Sequence, residues 1–269
     1  MDIACIFYTF TFGFKKDIPD KNWIMKYFLS ILLFLPSFVF GQNDLESQVP
    51  KDKKYDSAEV VDERFGITMY EPLNMVLSGD SVRMENGYAI SNWKEDYYTT
   101  GALLHRGYYV DGQLKVYRNF YPNGNIEREF RNLDTFRSVL KLYYPSGKLK
   151  SEVKYLEGEP MVWTDFFENG NMEFYEEFHK SMLYHISKKH FYESGQVKSN
   201  LELVNKKKLE FSQNDYYSNG NPELTGALKY SKSSYDYFKV GKWKYYKEDG
   251  SPLKDEEYEY GRIVKTKTY

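Results

Sequence analysis

Cysteine is almost missing from this chain. One residue, Cys5, in 269 excludes an intrachain disulfide, a cysteine-based zinc cluster and a Cys-x-x-Cys redox pair. Histidine is nearly as scarce: His105, His179, His185 and His190 are the only four. None belongs to a His-Glu-x-x-His or His-x-His pair, so no metal centre is expected. Excess charge of either sign is absent too. The 37 Lys and Arg face 39 Asp and Glu for a net charge of −2, which gives no general attraction to nucleic acid or to an anionic membrane. No Gly-x-Gly-x-x-Gly or P-loop pattern supplies a phosphate cradle, so no cofactor is expected. The Ser-Gly pairs at 146–147 and 194–195 lie in turn sequences rather than in a Gly-x-Ser-x-Gly elbow. The carboxylates Glu176-Glu177 and Asp255-Glu256-Glu257 have no spacing suited to paired acid–base work. These absences point away from an enzyme.

Long hydrophobic runs are also lacking, with one exception. After Met25-Lys26 comes a 14-residue apolar stretch, Tyr27 to Phe40, broken only by Ser30, Pro36 and Ser37. It is shorter than the ~20 residues a membrane-spanning helix needs and matches the apolar core of a secretory signal. Residues 1–41 are therefore expected to be a signal peptide, cut around Gly41 and with its true start at Met25. No integral span is expected after cleavage, and the protein is expected to be exported, to the periplasm, the outer surface or the medium. Residues 42–64 are polar and charged and read as a flexible lead-in; 65–86 are expected to hold N-terminal capping strands.

What the chain has in abundance is aromatic side chains, 19% of all residues with 27 Tyr. They come in pairs before a glycine: Phe120-Tyr121-Pro-Asn-Gly124, Tyr143-Tyr144-Pro-Ser-Gly147, Phe166-Phe167-Glu-Asn-Gly170, Phe191-Tyr192-Glu-Ser-Gly195 and Tyr216-Tyr217-Ser-Asn-Gly220. Looser copies end at Gly101 and Gly250, so the seven glycines are spaced by 23, 23, 23, 25, 25 and 30 residues. A fixed period of this size is the mark of a repeat array. Proline or a polar residue followed by Asn or Ser and then Gly is the recipe for a type I turn closed by a left-handed residue, as in a bulged hairpin. A second set of turns is expected at Asp111-Gly112, Glu157-Gly158 and Val240-Gly241, with Asn132-Leu133-Asp134 and Asn205-Lys206 filling the role elsewhere and an insertion around Ser231 to Asp236. Turns every dozen residues leave no room for a helical stripe and predict an all-β antiparallel meander. Alternate strand residues face opposite sides, so paired aromatics cover both faces of a single-layer sheet.

These residues resemble the MORN-variant repeat, a relative of the membrane occupation and recognition nexus motif. Gly241-Lys-Trp243-Lys-Tyr245-Tyr246 carries the first half of its pattern, Trp163 to Met172 its middle, and Tyr155-Leu-Glu-Gly158 its second turn. The likeness covers residues 87–269, about seven units. It implies β-hairpins stacked side by side into an elongated, curved sheet. For function it implies a protein-binding or membrane-linked scaffold, and some bacterial proteins of this kind are labelled antitoxin components. The leading expectation is an exported, non-catalytic scaffold for a protein partner. The alternatives are an antitoxin that neutralises a cognate toxin, and a binder of glycans or lipid headgroups. Trp93, Trp163 and Trp243 recur near the same place in their units, seven residues before the turn glycine with Trp93 displaced by one. They are the candidate binding residues, with the stapling of neighbouring repeats as their other reading.

Overall fold

Turn chemistry decides this architecture. A computed structural model describes residues 53–269, which fall within one unit, Leu45–Tyr269. The leader expected over 1–41 and most of the lead-in lie outside the described residues. The strands are β1 (Lys54–Tyr55), β2 (Met84–Glu85), β3 (Tyr88–Ala89), β4 (Trp93–Tyr98), β5 (Leu103–Val110), β6 (Gln113–Phe120), β7 (Ile126–Asn132), β8 (Arg137–Tyr143) and β9 (Leu149–Leu156). They continue with β10 (Glu159–Phe166), β11 (Met172–Phe178), β12 (His185–Phe191), β13 (Val197–Asn205), β14 (Glu210–Tyr216), β15 (Pro222–Ser231), β16 (Asp236–Tyr246), β17 (Pro252–Glu259) and β18 (Arg262–Thr268). Strands β4 to β18 pair antiparallel in chain order, and β1 adds in parallel to β4, making a 16-stranded sheet; β2 and β3 form a separate hairpin.

All seven period glycines sit at positive φ, from +84° to +95°. Each donates its N–H to the carbonyl three residues back at 2.8–2.9 Å, as Gly124 does to Tyr121. Each hairpin then carries a bulge just past the glycine, where the residue three positions on is left without a Cα partner. The second turns hold at Asp111-Gly112 and Glu157-Gly158, where both residues have positive φ as a two-residue type I′ turn requires. Gly241 is a correction. It lies inside β16, at φ +64°, and β15 returns through residues 232–235, the stretch that read as an insertion. Pairing steps from Thr225↔Lys244 to Ala227↔Val240 there, so Gly241 serves a bulge rather than a turn.

The paired aromatics have a more specific task than covering faces. Before five of the seven turn glycines a tyrosine three residues back donates its hydroxyl to the backbone carbonyl of the residue four before the next turn glycine: Tyr98 to Phe120 (2.7 Å), Tyr121 to Tyr143 (2.9 Å), Tyr144 to Phe166 (2.7 Å), Tyr192 to Tyr216 (2.8 Å) and Tyr217 to Tyr246 (2.9 Å). Asparagines flanking the turns add a second stitch, Asn123 and Asn125 both donating to Pro145 O at 2.9 and 2.8 Å. Asn169 and Asn171 do the same to Glu193 O, and Asn219 and Asn221 to Glu248 O.

The first half of one sheet face carries a cover. From Lys54 on, the expected lead-in is ordered into β1 and a helical turn, Ser57–Val60, capped by Asp56, whose side chain accepts from Ala58 N–H. The capping strands expected over 65–86 reduce to β2; most of that segment is 3₁₀ turns, Glu71–Leu73 and Met75–Leu77, and loop. This segment lays buried Ile67, Tyr70 and Leu73 on Leu104, Tyr109, Tyr117, Phe130 and Leu140 of the sheet. Burying each such side chain contributes about 1.5–3 kcal/mol. A smaller cluster, Tyr184, Leu201, Leu209, Phe211 and Tyr230, packs further along.

Candidate binding surfaces

Cross-strand partners define which side chains share a face. One row runs Lys94, Gly107, Tyr117, Phe130, Leu140, Val153, Trp163 and Glu176. Tyr117, Phe130, Leu140 and Val153 belong to the core under the cover, so Trp163 is on the covered face, just where the cover ends. Trp93 precedes Lys94 by one residue and therefore points to the opposite, bare face. Trp243 is 2% exposed and stands against Gly226, which lies in the Trp163 row's continuation; its Nε1 donates to Ala227 O at 3.1 Å. The three tryptophans do not form one surface. Trp243 is a core residue. Trp163 (43% exposed) and Trp93 (52% exposed) head two separate surfaces.

On the covered face, two buried polar networks clamp the cover. Arg83 holds Asp96 through both nitrogens, at 2.9 and 2.6 Å, and Tyr70 donates its hydroxyl to the same carboxylate at 2.9 Å. Arg83 also donates to Tyr109 Oη (3.2 Å), which bonds His105 Nε2 (3.0 Å); His105 Nδ1 meets Asn119 Oδ1 (2.7 Å), and Asn119 Nδ2 donates to Ile67 O (3.1 Å). Burial holds the His105 imidazole down at about 4, so it stays neutral, stacked 3.6 Å from the Tyr70 ring. Burial and the Asp96 charge drive the Tyr70 phenol far above its ordinary value. In the second network Arg128 bonds Glu127, Glu71 and Phe65 O, and Glu127 accepts from Ile67 N–H at 3.1 Å. Glu127 and Arg128 are adjacent yet both buried against the cover, because Glu127 is the bulge residue of its hairpin. Sequence reasoning missed these clamps. Their signal is the bulge position three residues after each turn glycine, which also places Leu104, Lys150 and Glu173.

Beyond the clamp a cleft of about 810 Å³ opens between residues 64–78 and strands β7 to β11, with Phe65, Tyr144, Tyr155 and Trp163 among its walls. On the bare face the Trp93 and Tyr108 rings lie 5.4 Å apart, and the Arg106 guanidinium sits 5.4 Å from the Trp93 ring while pairing with Glu95 at 3.5 Å. A shallow hollow of about 290 Å³ beside them is lined by Leu103, Val116, Arg118 and Arg131. Neither surface brings a nucleophile to a base. The remaining histidines are spread out: His185 bonds Glu176 (2.5 Å) and Tyr237 (3.0 Å), and His179 bonds Ser181 (2.9 Å). Among the described residues no group of three or more His, Cys, Asp or Glu side chains is placed to hold a metal ion, and no helix is long and apolar enough to cross a membrane.

No curated protein matches this chain. Among solved structures, two of S. aureus TarM, one of them a mutant in complex with fondaparinux, alpha-GlcNAc-glycerol and UDP, align at 14% identity and a TM-score of 0.25. Each alignment covers 43% of this chain and 20% of TarM, so the chain spans about a fifth of the length of the solved structures it matches. The family model described as MORN repeat variant matches residues 113–131 and 139–157. Those segments are the β6–β7 and β8–β9 hairpins, and the same glycine turn and bulge recur in the other five hairpins. The chain carries MORN-variant repeats at these two hairpins.

Proposed function

We propose that this protein is an exported, non-catalytic scaffold whose bare face docks a protein partner around Trp93. The observation that carries the reading is the composition of that patch. Tryptophan, tyrosine and arginine are the residues that dominate binding energy at protein interfaces, and here the exposed Trp93 ring has Tyr108 tilted against it and Arg106 over it. Tyr97 and Val110 extend the exposed apolar area on the neighbouring strand positions. Arg118 and Arg131 border it, and Arg118 is held at 3.0 Å by Glu129. The regular sheet behind keeps this array fixed, so little conformational entropy is lost on docking. A partner covering ~800 Å² would meet an interface of ordinary size. Export rests on the apolar leader alone, and no observation on either face favours an antitoxin role over this one.

The test compares the full chain with Trp93→Ala and Arg106→Ala in site-specific photo-crosslinking within the native envelope fraction. A crosslinker at position 108 should yield one discrete protein adduct that both substitutions abolish, with melting temperatures unchanged. Adducts that persist in both variants, or no adduct at all, would refute the docking patch.

A further inference from the structure

We infer that the cleft at the end of the cover is a second binding site, separate from the Trp93 patch, and that it takes an uncharged oligosaccharide with one sugar ring stacked on Trp163. Trp163 belongs to a cross-strand row that runs under the cover. Its neighbours Tyr117, Phe130, Leu140 and Val153 are all buried beneath the cover, and Trp163 is the first member that the cover does not reach. Its indole remains 43% exposed, and among the described residues no ring or cation stacks on it. The indole is nevertheless held still: Nε1 donates to Asp165 Oδ1 at 2.7 Å, two residues along the same strand. With its one donor satisfied, what Trp163 offers is a flat apolar surface.

Around that surface are hydrogen-bonding groups that the protein leaves open. Asp165 keeps a second carboxylate oxygen. Glu173, brought to the same face as the bulge residue beside Phe174, makes no hydrogen bond or ion pair among the described residues. The buried Ser151 hydroxyl in the floor has no protein partner. An aromatic plane edged by carboxylates and a hydroxyl matches a pyranose ring, whose C–H face packs on the ring while its equatorial hydroxyls donate outward. The charge distribution separates this ligand from a cationic peptide. Arg64, 5.0 Å over the Phe65 ring, and Lys150, which donates to Arg64 O at 3.4 Å, also line the cleft. The lining carries both signs, so a chain of positive charges meets cations as well as carboxylates, whereas a neutral chain of hydroxyls finds donors and acceptors in the same cleft. The cleft volume of about 810 Å³ is in the range of small-molecule sites and leaves room for more than one ring.

The experiment titrates the full chain with maltohexaose, cellohexaose, laminarihexaose and hexa-N-acetylchitohexaose, followed by calorimetry and tryptophan fluorescence. At least one should bind with a single site per chain. Trp163→Ala should weaken that binding about tenfold or more, and Trp163→Phe should restore part of it. Asp165→Asn should weaken it as well, while melting temperatures stay within about 2 °C of the parent, the shift expected from less than 1 kcal/mol. Trp93→Ala should leave it intact, so failure here is distinct from failure of the protein-docking patch. Absence of binding to all four sugars, equal binding by Trp163→Ala, or tight Trp163-dependent binding of oligolysine in place of sugar would each overturn the assignment.

Discussion

The inter-unit stitch is broken at one place, and restoring it should make the protein more stable. Tyrosine occupies the position three residues before the turn glycine at 98, 121, 144, 192 and 217, and each hydroxyl reaches the next unit's backbone at 2.7–2.9 Å. At 167 the residue is phenylalanine, so the Phe191 carbonyl receives no such bond. Phe167 is half-buried like Tyr144 and Tyr192, and the hairpin geometry around it is the same, so Phe167→Tyr adds one hydroxyl without repacking. A hydrogen bond of this kind nets about 0.5–1.5 kcal/mol. For a domain of this size 1 kcal/mol moves the melting temperature by roughly 2–4 °C. In a repeat array each unit contacts only its neighbours, so the added protection should fall mainly on amides of β10 to β13 in hydrogen exchange. Calorimetry on Phe167→Tyr, with Tyr144→Phe and Tyr121→Phe as reciprocal deletions, gives the reading. A rise for the first and falls of similar size for the others are expected. If Tyr144→Phe and Tyr121→Phe cost nothing, the stitches have no net value and the argument fails. If they cost about 1 kcal/mol while Phe167→Tyr gains nothing, the equivalence of the units fails.

Gly226→Ala should destabilise by about 1–3 kcal/mol, because a Cβ there would overlap the buried Trp243 indole; a melting temperature within 2 °C of the parent would contradict this packing. Asp96→Asn should cost about 3–5 kcal/mol by leaving Arg83 buried without its counter-charge, and limited proteolysis should then cut within residues 53–83, whereas continued resistance would show that the cover is held by its apolar contacts alone. His105 supplies a pH dependence: its folded value near 4 lies below the ordinary 6.5, so the unfolded chain binds the extra proton between these pH values. Stability should therefore be fully present above about pH 6.5 and decline toward pH 4, by of the order of 3 kcal/mol at most; His105→Gln should flatten that decline, and an unchanged slope would refute the assignment.

The sheet was legible because its instructions are local. A turn glycine acts within four residues of chain, so Gly124 or Gly170 announces its hairpin whatever lies around it. Gly241 shows the limit of that logic. A positive φ serves a bulge as well as a turn, and only the pairing of β15 with β16 distinguishes the two. The cover was illegible for the opposite reason. Its segment is rich in charge, and composition treats charge as solvated, yet Glu71 meets Arg128 57 positions away and Arg83 meets Asp96 in the core. Long-range pairing of that kind leaves no mark on periodicity.

The tryptophans carry the lesson furthest, since the displacement of Trp93 by a single residue was visible in the sequence and its meaning was not. In a strand, one position changes the face, so that small offset moves Trp93 from the row of Trp163 to the other side of the sheet. A bulge can undo or restore parity, yet counting from the glycine succeeds for Tyr117, Leu140, Trp163 and Trp243 alike, since Trp243 packs against Gly226 in the continuation of the same row. The consequence is functional. One motif position, read three times, yields a packing residue seated on Gly226, a rigid plane at the mouth of a polar cleft, and an arginine-backed anchor on the bare face. On the two proposals above, one repeat scaffold would hold two unlike ligands on opposite sides of a sheet without any change to the repeat itself. Substituting Trp93 and Trp163 together should then remove both interactions additively, because no side chain is shared between the two surfaces.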